Sequence, residues 1–432
     1  MSWGMMGRDM KEVRIGPKKE MIPKNWNVKE LSQVSKNNGQ YGANESAEEF
    51  DAEQFRYIRI TDISEDGRLK NNDKKSIEKK EENEKYILNE GDIVFARTGS
   101  VGRTYLYKDR DTEITCVFAG YLIKFELNSK EIDYDYLSHY THSYLYNSWI
   151  NSFSRSTTLA NINATEYSTL PIIYPPLPEQ KKIADVLSSV DQAIEKTDQI
   201  IAKTQELKKG LMQELLTKGI GHDEFKEVRI GSKKYEIPRN WNLVRLEKMF
   251  DLINGRSFKK NEWSNEGLQI IRIQDLRENE NSETNYCNFE VKDKYYVNKG
   301  DLLFCWAGNI NTSLGAYIWN KEKAVLNQHI YNLKSKEKNY NEYYKNYLNY
   351  MLPLLKTLVG GSAGQIHITK GDLNSFKLLV PPLEEQKKIA NILSSVDNKI
   401  QKKQEQKEKL EELKKGLMQK LLTGEVRVDV EE

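Results

Sequence analysis

The side chains best suited to chemistry in this chain sit in short polar turns. Arg97-Thr98-Gly99-Ser100-Val101-Gly102-Arg103 follows one apolar run, and Trp306-Ala307-Gly308-Asn309-Ile310-Asn311 follows another of like build. Arg155-Ser156-Thr157-Thr158-Leu159-Ala160-Asn161 has its counterpart in Gly361-Ser362-Ala363-Gly364-Gln365-Ile366-His367, and Gly255-Arg256-Ser257-Phe258-Lys259-Lys260 is a basic loop. Arg, Asn, Gln, Ser and Thr carry the donors and acceptors that match base edges, whereas Lys, Arg and glycine N–H groups serve phosphates. Candidate DNA contacts are therefore Arg97, Thr98, Ser100, Arg103, Arg155, Ser156 and Asn161 in the first half of the chain. In the second half they are Arg256, Ser257, Lys259, Lys260, Asn309, Asn311, Gln365 and His367. Any one of these could be an ordinary polar turn residue. The signal is the pair of equivalent loops furnished with different polar groups.

Catalytic groups are harder to find. The sequence has no GxxxxGK[ST] loop for nucleotide phosphates, no GxSxG elbow and no HExxH helix. An amino-methyltransferase would show Asn or Asp, two prolines and an aromatic; Tyr174-Pro175-Pro176-Leu177 has only the prolines. His139 and His142 lie at i, i+3 on a predicted helix, but no third ligand is evident and no metal site is assigned. His222-Asp223 is an isolated dipeptide to which no role is given. Catalytic residues, metal and cofactor are thus all expected to be none for this chain itself.

Composition narrows the class further. At 432 residues the chain has room for two to four domains. Lys and Arg total 66 against 64 Asp and Glu, so bulk charge cannot drive nucleic-acid binding, although local basic surfaces can. The 24 tyrosines and 7 tryptophans are too many for a disordered chain. Cys116, Cys287 and Cys305 are too far apart in sequence for a zinc ribbon or a disulfide framework. No apolar run approaches 18 residues and the opening MSWGMMGRDM has no apolar signal region, so a cytoplasmic protein is expected, with no membrane partner.

Positioning these loops falls to a duplicated scaffold. Glu12–Leu31 recurs as Glu227–Leu246 with 13 identities in 20, Pro175–Ile194 as Pro381–Ile400 with 15 in 20, and Glu206–Thr217 as Glu412–Thr423 with 11 in 12. Between these motifs only anchors match, such as Tyr57–Ile63 with Ile270–Leu276 and Gly91–Gly99 with Gly300–Gly308. Ile183, Leu187, Val190, Ile194, Thr197, Ile201, Thr204, Leu211 and Leu215 in the first copy, with Leu207 near a weak step, and Ile389, Leu393, Val396, Ile400, Leu410, Leu413, Leu417 and Leu421 in the second, follow heptad-like spacing. That pattern predicts helices from near Pro178 to Leu216 and from near Glu384 to Leu422. Gln401–Lys409 has no apolar residue and reads as a solvated middle section. Gly210 and Gly416 interrupt both helices at one place, which predicts close approach of the two helices there. Strands are expected over Tyr57–Ile63, Ile93–Ala96, Tyr121–Phe125, Ile172–Tyr174, Ile270–Ile273 and Leu302–Trp306, with helices over Tyr134–Tyr146 and Tyr340–Leu355. The domain plan is an N-terminal segment 1–22, a variable domain 23–174, a helix 175–218, a linker 219–237, a second variable domain 238–380, and a helix with C-terminal tail 381–432.

This order, together with PPLPEQKKIA, PPLEEQKKIA, GDIVFARTG and the ELKKGLMQxLLT endings, resembles the specificity subunits of type I restriction-modification systems over nearly the whole chain. The resemblance implies an α+β fold with two mixed α/β target recognition domains in pseudo-twofold arrangement, joined by two long antiparallel coiled-coil helices. It implies a non-catalytic chain whose domains each read one half of a bipartite, asymmetric target on double-stranded DNA. The coiled coil would set the unread spacer and bind two methyltransferase subunits, which carry the adenine methyltransferase and S-adenosylmethionine. Restriction subunits would add ATP-dependent cleavage. The expected partner-binding residues are Leu211, Met212 and Leu215, matched by Leu417, Met418 and Leu421. A nucleic-acid-binding scaffold with no methyltransferase is the alternative, and an unrecognised nuclease is a third.

Overall fold

The sequence repeat is a repeat of structure. A computed structural model describes residues 9–153, 161–276, 283–308, 314–358 and 366–430. By contacts these fall into two units, Met1–Asp198 with Glu405–Glu432, and Gln199–Gln404. Each unit holds one variable domain, the first half of the long helix that follows it, and the last half of the other long helix.

Each unit opens with a hairpin that alternation alone did not disclose. Met10–Ile15 pairs antiparallel with Lys18–Pro23 in the first unit, and Phe225–Ile230 with Lys233–Pro238 in the second, within and beside the expected linker. Trp26 and Trp241 follow, both fully buried. The central sheet of the first unit runs Gln40–Tyr41, Leu122–Glu126, Asp92–Ala96, Thr104–Leu106. The second unit repeats it as Phe250–Asn254, Ile330–Ser335, Leu302–Cys305, Gly315–Ile318. A second sheet stands beside each, built on Phe55–Ile58 and on Leu268–Ile271. Both units are thus mixed sheet and helix, as expected.

Where expectation and structure part, local hydrogen bonding explains it. The strand expected over Tyr57–Ile63 stops at Ile58, because Asp62 accepts from the Arg59 backbone N–H at 2.8 Å and turns Ile60–Asp62 into a 3₁₀ helix. Asp275 does the same to Arg272 at 2.8 Å in the second unit. The helix expected over Tyr134–Tyr146 is two, Tyr134–Tyr140 and Tyr144–Phe153. Thr141 and His142 bond back to the Ser138 carbonyl, and the Ser143 hydroxyl accepts from Tyr146 N–H. Side chains that compete for backbone groups in this way break helices.

The long helices span Leu177–Leu215 and Leu383–Leu421, each within a residue of the expected limits. In the first unit Asp191 pairs with Lys414 at 2.7 Å and Asp198 with Lys407 at 2.8 Å. A step of seven forward on one helix is a step of seven back on the other, so the pairing is antiparallel. In the second unit Asp397 pairs with Lys208, the same two repeat positions with the helices exchanged. Most of Gln401–Lys409 is exposed, in keeping with a solvated middle section. The close approach expected at Gly210 and Gly416 is not found: among the described residues no atom outside the helix's own backbone lies within 4 Å of where a Cβ would be at either.

The near-identity of the helix entrances has an internal cause. Gln180 donates to the Pro175 carbonyl at 2.9 Å and accepts from Asp133 N–H, while Gln386 donates to the Pro381 carbonyl at 2.9 Å and accepts from Tyr340 N–H. Glu179 accepts from the Trp26 indole at 2.9 Å and from the Arg427 guanidinium, whose Nη2 lies 2.8 Å away. Glu385 accepts from the Trp241 indole at 3.0 Å and pairs with His222 at 2.7 Å. His222 therefore has a role the sequence did not give it. A buried carboxylate needs such partners, and in each unit one of them, Arg427 or His222, comes from the segment that follows a long helix.

Candidate nucleic-acid interface

Arg97 and Trp306 lie at the ends of the central strands, and one backbone frame holds both. Arg97 N–H donates to the Tyr121 carbonyl at 3.0 Å, and the Arg97 carbonyl accepts from Ile162 N–H at 3.0 Å. Trp306 N–H donates to the His329 carbonyl at 3.4 Å, and the Trp306 carbonyl accepts from Ile368 N–H at 3.1 Å. The turns closed by Leu122 N–H to Ala119 and by Ile330 N–H to Asn327 match as well. Gly42 and Gly255 sit under these turns, where a Cβ would lie 2.3 Å from the Phe118 carbonyl oxygen and 2.0 Å from that of Asn327. Only glycine permits that approach.

The candidate residues occupy this frame unevenly. Thr98 and Ser100 are half-buried in the first glycine turn. The Arg97 guanidinium stacks over the Tyr41 ring at 4.9 Å, and its Nε lies 3.4 Å from the Asn161 side-chain oxygen. Arg103 instead donates inward to the carbonyls of Ile60 and Ile63, tying the glycine turn to the neighbouring 3₁₀ turn. Arg256 is ion-paired with Glu262 and held between Phe258 and Phe289, at 4.7 and 5.0 Å from the rings. Ser257, Lys259 and Lys260 are exposed on the same loop. His367 lies in the short strand Ile366–His367, paired with Ala307–Gly308. Arg155, Ser156, Asn309, Asn311 and Gln365 lie outside the described residues.

Sequence reasoning missed Tyr41, Tyr121, Gln328 and His329, which stand at the same strand ends. Tyr121 is 63% exposed directly beside Arg97. In the second unit the Trp306 ring packs on His329 at 5.4 Å, and Gln328 Nε2 is 3.1 Å from the His329 imidazole. Only the backbone register, not local sequence, brings these residues to Arg97 and Trp306.

The two histidines weighed for metal binding are engaged otherwise. His139 Nε2 is 3.1 Å from the Ser188 hydroxyl, and His142 Nδ1 is 2.7 Å from the Ser138 carbonyl. Burial pushes the His139 imidazole down to about 4 and lowers that of His142. Among the described residues no group of three or more His, Cys, Asp or Glu could hold a metal ion. No helix among them is long and apolar enough to cross a membrane.

The sequence profile of the type I restriction modification DNA specificity domain matches residues 23–206 and again 238–412. The chain belongs to the specificity subunits of type I restriction-modification systems. It is 32% identical over 432 residues to a chain of Methanocaldococcus jannaschii assigned as the MjaX type I restriction enzyme specificity subunit, covering 97% of each. A second subunit of that organism, from the MjaVIII enzyme, is 31% identical over 367 residues, or 80% of this chain and 81% of its own length. Among solved structures, the S subunit of a type I system from M. genitalium superposes with a TM-score of 0.57 at 16% identity, covering 94% of this chain and 97% of its own. A chain from a study of the assembly and conformational transition of a type I system gives 0.55 at 19% identity, covering 94% and 99%. These two likenesses concern the fold.

In a specificity subunit the two variable domains are DNA recognition domains, and the repeated helix ends call for their own explanation. The six residues expected to bind partners turn inward. Leu215 packs into the core of the second unit with Leu211 and Met212 at its margin, and Met418 and Leu421 pack into that of the first with Leu417 at its margin. The outward face of the same segment carries Leu207 and Leu413, 55% and 50% exposed at equivalent repeat positions.

Proposed function

We propose that the chain reads a bipartite DNA target for a type I modification and restriction complex in the cytoplasm, one short unlike half-site per recognition domain. The observation that carries this is the pair of strand-end turns on one backbone frame with different polar side chains. A duplicated scaffold that served a single ligand would have no cause to vary those positions while keeping Gly42 and Gly255, Arg59 and Arg272, and Asp62 and Asp275 in place. Arg97, Thr98, Ser100 and Asn161 on one domain, with Ser257, Lys259 and Lys260 on the other, are the candidate contacts left facing outward. The chain itself performs no turnover in this reading; adenine methylation and ATP-dependent cleavage belong to its partners.

Two methyltransferase subunits are bound through the helix ends, one per repeat. The support is that Glu206–Gln213 and Glu412–Gln419 are identical although much of their surface is exposed. The exposed Leu207, Lys209, Gly210 and Gln213 recur as Leu413, Lys415, Gly416 and Gln419. Packing within the chain explains the repeated Glu179 and Glu385, but not these. Each mid-helix glycine costs about 1 kcal/mol relative to alanine, and among the described residues no atom outside its own helix backbone lies near either Cβ position, which supports a surface kept for a partner.

The 39-residue helices, each roughly 60 Å long, set the unread gap. Mapping methylated adenines in cells that express the complex tests the whole reading. Two constant half-sites with a fixed gap are expected, and four residues inserted after Thr204 should widen the gap by about one or two base pairs. A continuous target, or a gap unmoved by the insertion, would refute the bipartite or the spacing part respectively.

A further inference from the structure

We infer that the turns Ala119–Leu122 and Asn327–Ile330 are the base-reading elements of the two domains, with Tyr121, Gln328 and His329 as specificity-determining residues beside Arg97 and Trp306. This rests on the reading above and names the side chains that carry it out. Both turns close with the same i to i+3 hydrogen bond, receive the same strand-end N–H, and lie over the same tight glycine. The backbone is therefore constant while the residues on it differ: Ala119 against Asn327, Gly120 against Gln328, Tyr121 against His329.

Exposure and chemistry point the same way. A tyrosine 63% exposed contributes little to a core, so folding does not require it. It stands next to a guanidinium already oriented by the Tyr41 ring and Asn161, an arrangement that limits the rotamer freedom lost on binding. An arginine suits the O6 and N7 acceptors of guanine, and a glutamine suits the N6 donor and N7 acceptor of adenine; Arg97 and Gln328 are both half-buried at these strand ends. The first domain should thus read a guanine through Arg97, with Tyr121 packed against its neighbour. The second should read an adenine through Gln328, steadied by His329.

The test is selection from a random-sequence duplex library by the full chain co-expressed with the adenine methyltransferase of its host. The wild-type complex should select two constant half-sites. Tyr121→Ala and Arg97→Ala should each relax one position in one half-site, with discrimination falling about tenfold to a hundredfold there. Gln328→Ala should relax one position in the other half-site alone. Melting temperatures should match the wild type, and Tyr121→Phe should keep the wild-type motif if the ring rather than the hydroxyl makes the contact. If the wild type selects two half-sites and all the alanine variants reproduce them unchanged, the turns are not the reading elements although the bipartite reading stands. If a single variant blurs both halves, the assignment of one turn to one half-site fails. If the wild type selects no motif, the reading fails and takes this inference with it.

Discussion

At the scale of single residues, the first unit differs from the second in what it buries at one repeat position. His139 lies 3.7 Å from Asp191, which also pairs with Lys414 and Arg68, and burial pushes its imidazole down to about 4; the second unit has Asn346 there, also buried. An imidazole whose folded pKa lies below its unfolded value of about 6.5 is favoured neutral, so the unfolded chain binds the extra proton between those values. Stability is then fully present above pH 6.5 and falls as pH drops toward 4, by about 2 kcal/mol near pH 5 from this group. The burial-depressed His142 adds to the fall. A His139→Asn variant should lose much of the decline in melting temperature between pH 7 and pH 5; an unchanged slope would show that other groups set it. Residues of this kind were only partly legible in the sequence. The i, i+3 spacing of His139 and His142 was visible, but not that Ser188 and Ser138 would occupy them. Tyr121 was one tyrosine among 24, and only its hydrogen-bonded register beside Arg97 sets it apart.

At the scale of elements, periodicity located the long helices to within a residue, because a heptad-like stripe has few other solutions. It did not tell inward from outward at their ends. Leu207, at the weak step of the stripe, faces solvent, whereas Leu211, Met212 and Leu215 turn into the core of the domain they abut. The short hairpins escaped notice since EVRIG and its partner carry too few apolar residues to alternate clearly, and the 3₁₀ turns after Ile58 and Ile271 depend on Asp62 and Asp275 reaching back. If the outward helix faces bind methyltransferase subunits, Leu207→Asp combined with Leu413→Asp should weaken that association at least about tenfold, given what buried apolar anchors contribute at interfaces. Sedimentation of the co-expressed complex should show free methyltransferase, with the melting temperature of the isolated variant unchanged. A two-to-one complex that persists at wild-type affinity would place the partner surface elsewhere.

At the scale of the whole molecule, duplication separates what must stay from what must vary. Trp26 and Trp241, Glu179 and Glu385, and Gln180 and Gln386 hold each domain to its helix, and they are the same in both copies. The side chains on the strand-end turns are free of that duty and differ. On this division a recognition domain should be a replaceable part, since Trp26, Glu179 and Gln180 lie outside residues 27–174. Replacing residues 27–174 with the corresponding stretch of another specificity subunit, and mapping methylated adenines in cells that express the complex, tests the division most directly. One half-site should change to that of the donor, while the other half-site and the length of the gap persist. A swap that altered both half-sites, or the gap with them, would contradict the claim that the two domains read DNA independently on a shared scaffold.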